Sequence, residues 1–390
     1  MSSTLPLQGM TVIEIGHTVA APYAGMILAE LGADVIKVEN PDAGDYTRGM
    51  PPFRDGASAV YQALNRGKRS IALDMKRPRD AALLKRLIVE KADVVLHNLK
   101  YGAMEKLGFG AEELLRLKPG LVYCNVGAFG RTGPLRDRPG YDPLMQAYTG
   151  IMSIMGEEGR PPVRVGVSIT DQAAGMWAVI GIQAAYQESR RSGAGGVVDT
   201  SLFETALCWL TVQYSSFDAS GVVPKREGSG LAMMAPYQAF ESADSYLMVA
   251  AGNDNNFRKL CGALERPDLA LDPRFAANKG RVEHRPALLA ELEPIFRRKT
   301  TAQWLALLEA AGVPCSPIKR IDEVVDDPHA QALEIFQPSP DGAGHILGLP
   351  LSFDSARPPF RRAAPGLGEH TGEILSGLCG GAAPEDPAQA

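Results

Sequence analysis

The chain has 390 residues, 45% hydrophobic and 22% charged, the make-up of an ordinary globular protein long enough for more than one domain. Its formal net charge of −5 argues against nucleic acid as a partner, because phosphate backbones need a basic face. No apolar run reaches membrane-spanning length, residues 1–6 lack a basic-then-apolar leader pattern, and five scattered cysteines without a C-x-x-C pair suit reduced thiols in a cytoplasm.

The first third alternates strand and helix. Residues 10–15 read as an apolar strand, 22–31 as a helix, and 34–38 as a short buried strand. Then come a strand at 70–73, a helix at 80–90 and a strand at 93–96. Short helices near 103 and at 112–117 lead to a strand at 121–126. This rhythm predicts a mostly parallel sheet with helices on both faces, and such sheets bind ligands at the carboxyl ends of their strands. Residues 127–143, punctuated by Gly130, Gly133, Pro134, Pro139 and Gly140, read as a long functional loop or lid.

Next, an apolar, strand-like run from Val163 gives way at Asp171 to a helix over 173–187. Trp177, Ile180 and Ala184 share one face of it, and Val179, Ile182 and Ala185 fill most of the rest, the pattern of a buried helix. Asp171 has two readings there. It is an N-cap, or an ionised nucleophile that the helix mouth holds in a dry pocket. A turn at 193–196, a strand at 197–198 and a helix at 202–213 follow. A second composition begins near Gly221, with a loop at 222–236, a strand at 246–251 and helices at 257–264, 286–297 and 301–311. The expected division is a large α/β domain over 1–224, a small α+β domain over 225–325, and a segment over 326–390 returning to the large domain. That last segment has strand character at 347–353 and a frayed Gly/Ala/Pro-rich end at 380–390.

Several site types are absent. Gly16-His17-Thr18-Val19-Ala20-Ala21-Pro22 follows the first strand without G-x-G-x-x-G, and neither a P-loop nor G-x-S-x-G occurs. The six histidines have no metal-ligand spacing, so no metal site is expected. Basic residues gather at Lys68-Arg69, at Lys76-Arg77 and over 100–106, as solvated surface charge or as a phosphate subsite. His17 reads as a structural histidine or a base, and Tyr141 as a loop residue able to cap a pocket.

A series of short motifs joins these pieces. They include Leu31-Gly32-Ala33-Asp34-Val35-Ile36-Lys37-Val38-Glu39, Asn65-Arg66-Gly67-Lys68-Arg69-Ser70-Ile71, Gly140-Tyr141-Asp142, Asp199-Thr200-Ser201-Leu202, Val313-Pro314-Cys315 and Leu367-Gly368-Glu369-His370-Thr371. In number and order they resemble the family III CoA-transferases, the group of the formyl-CoA and carnitine CoA-transferases, over residues 7–371. The resemblance implies a Rossmann-like large domain with a smaller α+β domain, in an interlocked homodimer. It also implies CoA transfer from an acyl-CoA donor to a carboxylic acid, with succinyl-CoA as the donor that relatives suggest. The CoA thioester is a substrate and no permanently bound cofactor is expected. Asp171 takes the family's nucleophile position, forming an aspartyl-acyl anhydride and then an aspartyl-CoA thioester, kept ionised by its helix. Positions around the CoA nucleotide fall on Thr18, Val19, Ala20, Leu73, Lys76, Asn98, Leu99 and Lys106, with Lys76 and Lys106 on phosphates and Tyr141 nearer the thioester.

Three departures stand out. Asn40 replaces a frequent Arg, Tyr101 replaces a frequent Pro, and Gly252-Asn253 stands where formyl-CoA transferases carry a run of glycines, which disfavours a formyl/oxalyl substrate pair. The alternative within the same fold is an alpha-methylacyl-CoA racemase. Those enzymes pair the aspartate with a histidine where this chain has Tyr141, so the second proton-transfer group is missing.

Overall fold

The computed structural model describes residues 5–339, 342 and 344–378; the stretch 380–390, expected to fray, lies outside them. Contacts divide the chain into two compact units. One comprises Met1–Thr149, Gly166–Trp209 and Pro328–Ala390, the other Gly150–Val165 and Leu210–Asp327. The sequence puts a boundary at 224/225, whereas by contacts residues 150–165 and 210–224 group with the smaller unit.

The larger unit is built on six parallel strands: β1 (Thr11–Ile15), β2 (Asp34–Glu39), β3 (Arg69–Ala72), β4 (Val94–His97), β5 (Val122–Gly127) and β6 (Gly196–Ser201). Their spatial order is β3-β2-β1-β4-β5-β6. The winding reverses between β1 and β4, so the loops leaving their carboxyl ends diverge and open a crevice. On one face Ile13, Ile36, Ile71, Val95 and Tyr123 form a core with Leu84, Leu87 and Ile88 of helix α2 (Pro78–Lys91). Pro78 in its first turn, Asp80 beside it and Lys91 in its last turn suit the ends of that helix. Each fully buried Leu or Ile there contributes roughly 1.5–3 kcal/mol.

On the other face lie α1 (Ala20–Glu30) and α4 (Ile169–Ser192), with the short α3 (Asp142–Tyr148) preceding α4 and α5 (Leu202–Trp209) following β6. Helices α1 and α4 cross almost backbone to backbone at Gly175, where an added Cβ would lie 2.7 Å from the Ala20 carbonyl oxygen. Helix α4 is longer than the sequence suggests, and it is not buried all round. Ala173, Ala174, Ala178, Val179 and Ile182 are covered, while Met176, Trp177 and Ile180 are about half exposed. Its apolar circumference therefore includes an open face, which the pattern of residue types alone does not distinguish from a core face.

Two further expectations are corrected. Residues 163–168 are irregular, with Val163 and Val167 exposed; Gly166 interrupts the β-branched run. In the stretch expected as a strand at 347–353, only Leu347 is in one, within His345–Leu347, which pairs antiparallel with Phe336–Pro338; Pro350 follows three residues later. In the smaller unit, β7 (Tyr237–Glu241), β8 (Tyr246–Ala250) and β9 (Cys315–Pro317) form an antiparallel sheet in the order β9-β8-β7. Phe240, Phe257, Phe296 and Trp304 centre its core. Buried Arg281 donates to the carbonyls of Ala235, Phe275 and Gly252 and to the Asp254 carboxylate. Among the described residues no helix is long and apolar enough to cross a membrane.

One feature of the sheet runs against apolar patterning. Glu14 on β1 and Lys37 on β2 face each other in register, and both are fully buried. Lys37 Nζ lies 2.8 Å from Glu14 Oε1 and 2.8 Å from Asp45 Oδ2, while Lys68 Nζ lies 2.7 Å from Glu14 Oε2. Two cations thus neutralise two anions out of reach of water. A Lys37→Met variant leaves the two carboxylates with Lys68 alone, and it is expected to lose about 3–5 kcal/mol of stability, read from urea unfolding. A loss below about 1 kcal/mol would show that the network is energetically idle.

Candidate active site

The crevice between β1 and β4 holds a cleft of about 260 Å³. Four strand ends supply its walls: His17, Thr18, Val19 and Ala20 after β1; Asn98, Leu99, Lys100 and Tyr101 after β4; Gly127 and Ala128 at the end of β5; and Leu202 after β6. Tyr141 and Asp171 complete it, with Arg136 and Arg138 from the turn-rich loop. Seven of the ten residues singled out from the sequence therefore meet there: Asp171, Thr18, Val19, Ala20, Asn98, Leu99 and Tyr141. Leu73 is packed in the core, and Lys76 and Lys106 are exposed beyond the cleft lining.

The loop after β1 is tightly held. Asn98 accepts from the His17 backbone N–H at 3.0 Å and donates to the His17 carbonyl at 2.9 Å. Lys37 donates to the Gly16 carbonyl, and Asp45 accepts from the Thr18 N–H. Thr18 is left at φ 68°, an uncommon conformation for a β-branched residue, so the bonds on either side fix strained backbone at the cleft. His17 is pushed below its ordinary pKa by burial and by Lys37, so it presents a neutral ring.

Asp171 is not the N-cap of α4. Ser168 holds that place, with no side-chain capping bond, and Asp171 lies in the first turn. The capping is done from α3: Asp142 Oδ1 accepts from the Thr170 N–H and the Thr170 hydroxyl, both at 2.7 Å, while Gln146 donates to Asp142 Oδ2. The Asp171 carboxylate accepts no hydrogen bond among the described residues and stays partly buried. Burial, then the charge of Asp142, pushes its pKa up to about 7. The expectation that the helix mouth simply keeps Asp171 ionised is thereby corrected. Asp142 already occupies donors of that first turn, and a second carboxylate beside it meets repulsion.

A larger hollow of about 930 Å³, lined by Tyr23, Met26, Gln172, Leu347 and Phe360 among others, lies in the same unit. It contains Gln172 but not Asp171, since successive residues on a helix point about 100° apart. Among the described residues no cluster of His, Cys, Asp and Glu could hold a metal ion. Lys68, read from the sequence as surface charge or part of a phosphate subsite, is instead fully buried and paired with Glu14. The residues whose part in the site sequence reasoning missed are Glu14, Lys37 and Asp45 beneath the loop, and Asp142 beside Asp171. The visible signal for the first pair was an opposite charge in each of two neighbouring apolar strands, Thr11-Val12-Ile13-Glu14-Ile15 and Asp34-Val35-Ile36-Lys37-Val38-Glu39.

A family model for CoA-transferase family III matches residues 7–371. The chain belongs to CoA-transferase family III. It shares 40% identity over 389 residues with the succinate–glutarate CoA-transferase of Agrobacterium fabrum, covering 96% of each chain. With the human succinyl-CoA:glutarate CoA-transferase it shares 34% over 380 residues, covering 96% of this chain and 86% of that one. The crystal structure of a CaiB/BaiF family protein from Brucella suis superposes with a TM-score of 0.87 at 39% identity, covering 96% of this chain and 100% of that one. This member of the family is accordingly a CoA-transferase, and CoA thioesters are its substrates.

The raised pKa at Asp171 has consequences for both activity and stability. The kcat/KM profile is expected to fall on the acid side with a pKa near 7, and Asp142→Asn should shift that limb to lower pH without restoring an ordinary carboxylate value, because burial remains. A carboxyl whose folded pKa is raised stabilises the fold below its unfolded pKa, and that contribution is lost as pH rises through the folded value. Asp171→Asn should therefore raise stability relative to the parent at pH 8, by about 2–4 kcal/mol, with the gap narrowing as pH falls below 7 and closing only near pH 4 in urea unfolding.

Proposed function

We propose that the enzyme moves CoA from an acyl-CoA donor to a carboxylic acid through covalent intermediates on Asp171, in the cleft at the ends of β1, β4, β5 and β6. The observation that carries this reading is a carboxylate with no hydrogen-bond partner among the described residues, partly buried in the cleft at the winding reversal of the sheet. A more basic carboxylate is a better nucleophile once ionised, so the elevated pKa suits attack on a carbonyl.

An Asp171 oxygen adds to the thioester carbonyl carbon, the C–S bond breaks, and CoA leaves as thiolate, giving a mixed anhydride. The thiolate then adds to the aspartyl carbonyl, and the donor acid departs as carboxylate, leaving an aspartyl-CoA thioester. The acceptor carboxylate attacks that thioester and forms a new anhydride. Returning thiolate takes the new acyl group and frees Asp171. Both kinds of intermediate react with water, so the closely lined cleft and the turn-rich loop serve to exclude it.

A cleft of 260 Å³ lies just below the range of roughly 300–1,000 Å³ for ligand pockets, so it suits the thioester end of CoA rather than the whole molecule. Thr18, Val19, Ala20, Asn98, Leu99 and Tyr141 would border that end. Lys100 and Arg138, which line the cleft and have no ion pair among the described residues, and the exposed Lys76 and Lys106 would meet phosphates further out. The relatives' dicarboxylic acids support succinyl-CoA as donor. The exposed Met176, Trp177 and Ile180 on α4, with Leu207 and Trp209 on α5, support an interlocked homodimer that covers them. The wide spacing of the five cysteines, with no C-x-x-C pair, agrees with a cytoplasmic enzyme.

The test is transfer itself. Incubation with succinyl-CoA and a panel of acids should yield new acyl-CoA species by mass spectrometry, and hydroxylamine should modify Asp171 only when donor is present. Asp171→Ala is expected to lose at least about a thousandfold in kcat. Wild-type transfer rates in that variant would refute the covalent route.

A further inference from the structure

A second polar row crosses the sheet, on the strands β4, β5 and β6. His97 on β4 lies opposite Asn125 on β5, which lies opposite Asp199 on β6. Asn125 Nδ2 donates to Asp199 Oδ1 at 3.2 Å, and Arg131, in the loop after β5, donates to Asp199 Oδ2 at 3.1 Å. His97 is only 4% exposed, and neither of its ring nitrogens has a partner; Asn125 Oδ1 likewise has none. All three residues line a cavity of about 50 Å³, room for one or two bridging waters. Burial pushes His97 down to about 4, so its ring stays neutral through neutral pH.

Tyr101 links this row to the active cleft. It lines both cavities, and its hydroxyl donates to Asp199 Oδ1 at 3.0 Å. Its ring lies flush on the end of β5, where a Cβ on Gly127 would come within 2.9 Å of Tyr101 Cε2. The ring is thus clamped between a hydrogen bond behind it and a glycine that leaves it space. What remains is an apolar aromatic surface at a fixed place in the cleft that contains Asp171.

We propose that Tyr101 is a positioning residue for the thioester-bearing arm of CoA, and that the His97–Asn125–Asp199 row sets the place of its ring from behind the sheet. The alkyl-amide arm, mostly methylene with two amides, suits an aromatic wall better than a diphosphate does. This inference rests on the CoA-transfer reading of the cleft. It adds which part of the substrate Tyr101 meets and what holds it there.

Calorimetric binding of two probes tests it: coenzyme A, and adenosine 3′-phosphate 5′-diphosphate, which lacks the arm. Tyr101→Ala is expected to weaken CoA binding about tenfold while leaving the nucleotide probe within about twofold. Tyr101→Phe, which keeps the ring but not the tether, should weaken CoA about threefold, and adding Asp199→Ala to it should produce little further loss, as expected for two partners in one interaction. Rescue from the alanine to the phenylalanine variant separates wall from tether. If the alanine variant does not fold, the non-additivity of Tyr101→Phe with Asp199→Ala still decides. Unchanged CoA binding in Tyr101→Ala, equal weakening of both probes, or additive losses would overturn the proposal alone. A wild-type enzyme that binds neither probe would overturn the CoA reading with it.

Discussion

The Glu14–Lys37 pair fixes more of this molecule than any apolar contact does. It lies where β1 and β2 meet in register, so a one-residue slip would bury an unpaired charge as well as turn the apolar side chains to the wrong face. Lys37 reaches on from Glu14 to Asp45 and to the Gly16 carbonyl, and Asp45 holds the Thr18 N–H. The same buried charges that set strand register therefore shape the first wall of the cleft. Such a network contributes little net stability compared with an apolar replacement, yet it penalises nearly every misassembly. A strained residue such as Thr18 persists only where its surroundings overdetermine it, and here they do.

The other end of the cleft follows the opposite logic. Asp142 is satisfied by three hydrogen bonds and gives α4 its cap, whereas Asp171, in the first turn of the same helix, has none. Two carboxylates at one helix mouth divide the work. One is held by donors and is structural, and the other, with its pKa raised, is the one proposed to react. Stability is given up at Asp171, in a larger unit whose apolar core and charged network make that loss tolerable.

Fold class and the order of elements were legible because most strands of the larger sheet carry a short apolar run, and α2 carries its own start signals in Pro78 and Asp80. Errors fell where residue type and environment part company. The run from Val163 has β-branched residues but no strand partner, and the circumference of α4 is apolar without being covered. Asp171 stood out from its position, but its capping partner could not be read from spacing, since Asp142 lies 28 residues earlier and meets Thr170 only through tertiary packing. Lys76 and Lys106 lie outside the cleft lining, which itself contains Lys100, Arg136 and Arg138; the chain pattern alone did not separate cations lining the cleft from those beyond it.

Helix α4 brings these constraints onto one element. Its first turn carries Asp171, its inner face meets α1 at Gly175, and its outer face carries Met176, Trp177 and Ile180 into the open. Gly175 is one turn from Asp171, so the close approach of the two helices that it allows lies beside the start of α1, just after the loop at Thr18. Any surface that covers Trp177 and Ile180 must bear on the same helix within two or three turns of Asp171. In the proposed homodimer, assembly and the placement of Asp171 would therefore fall to a single element.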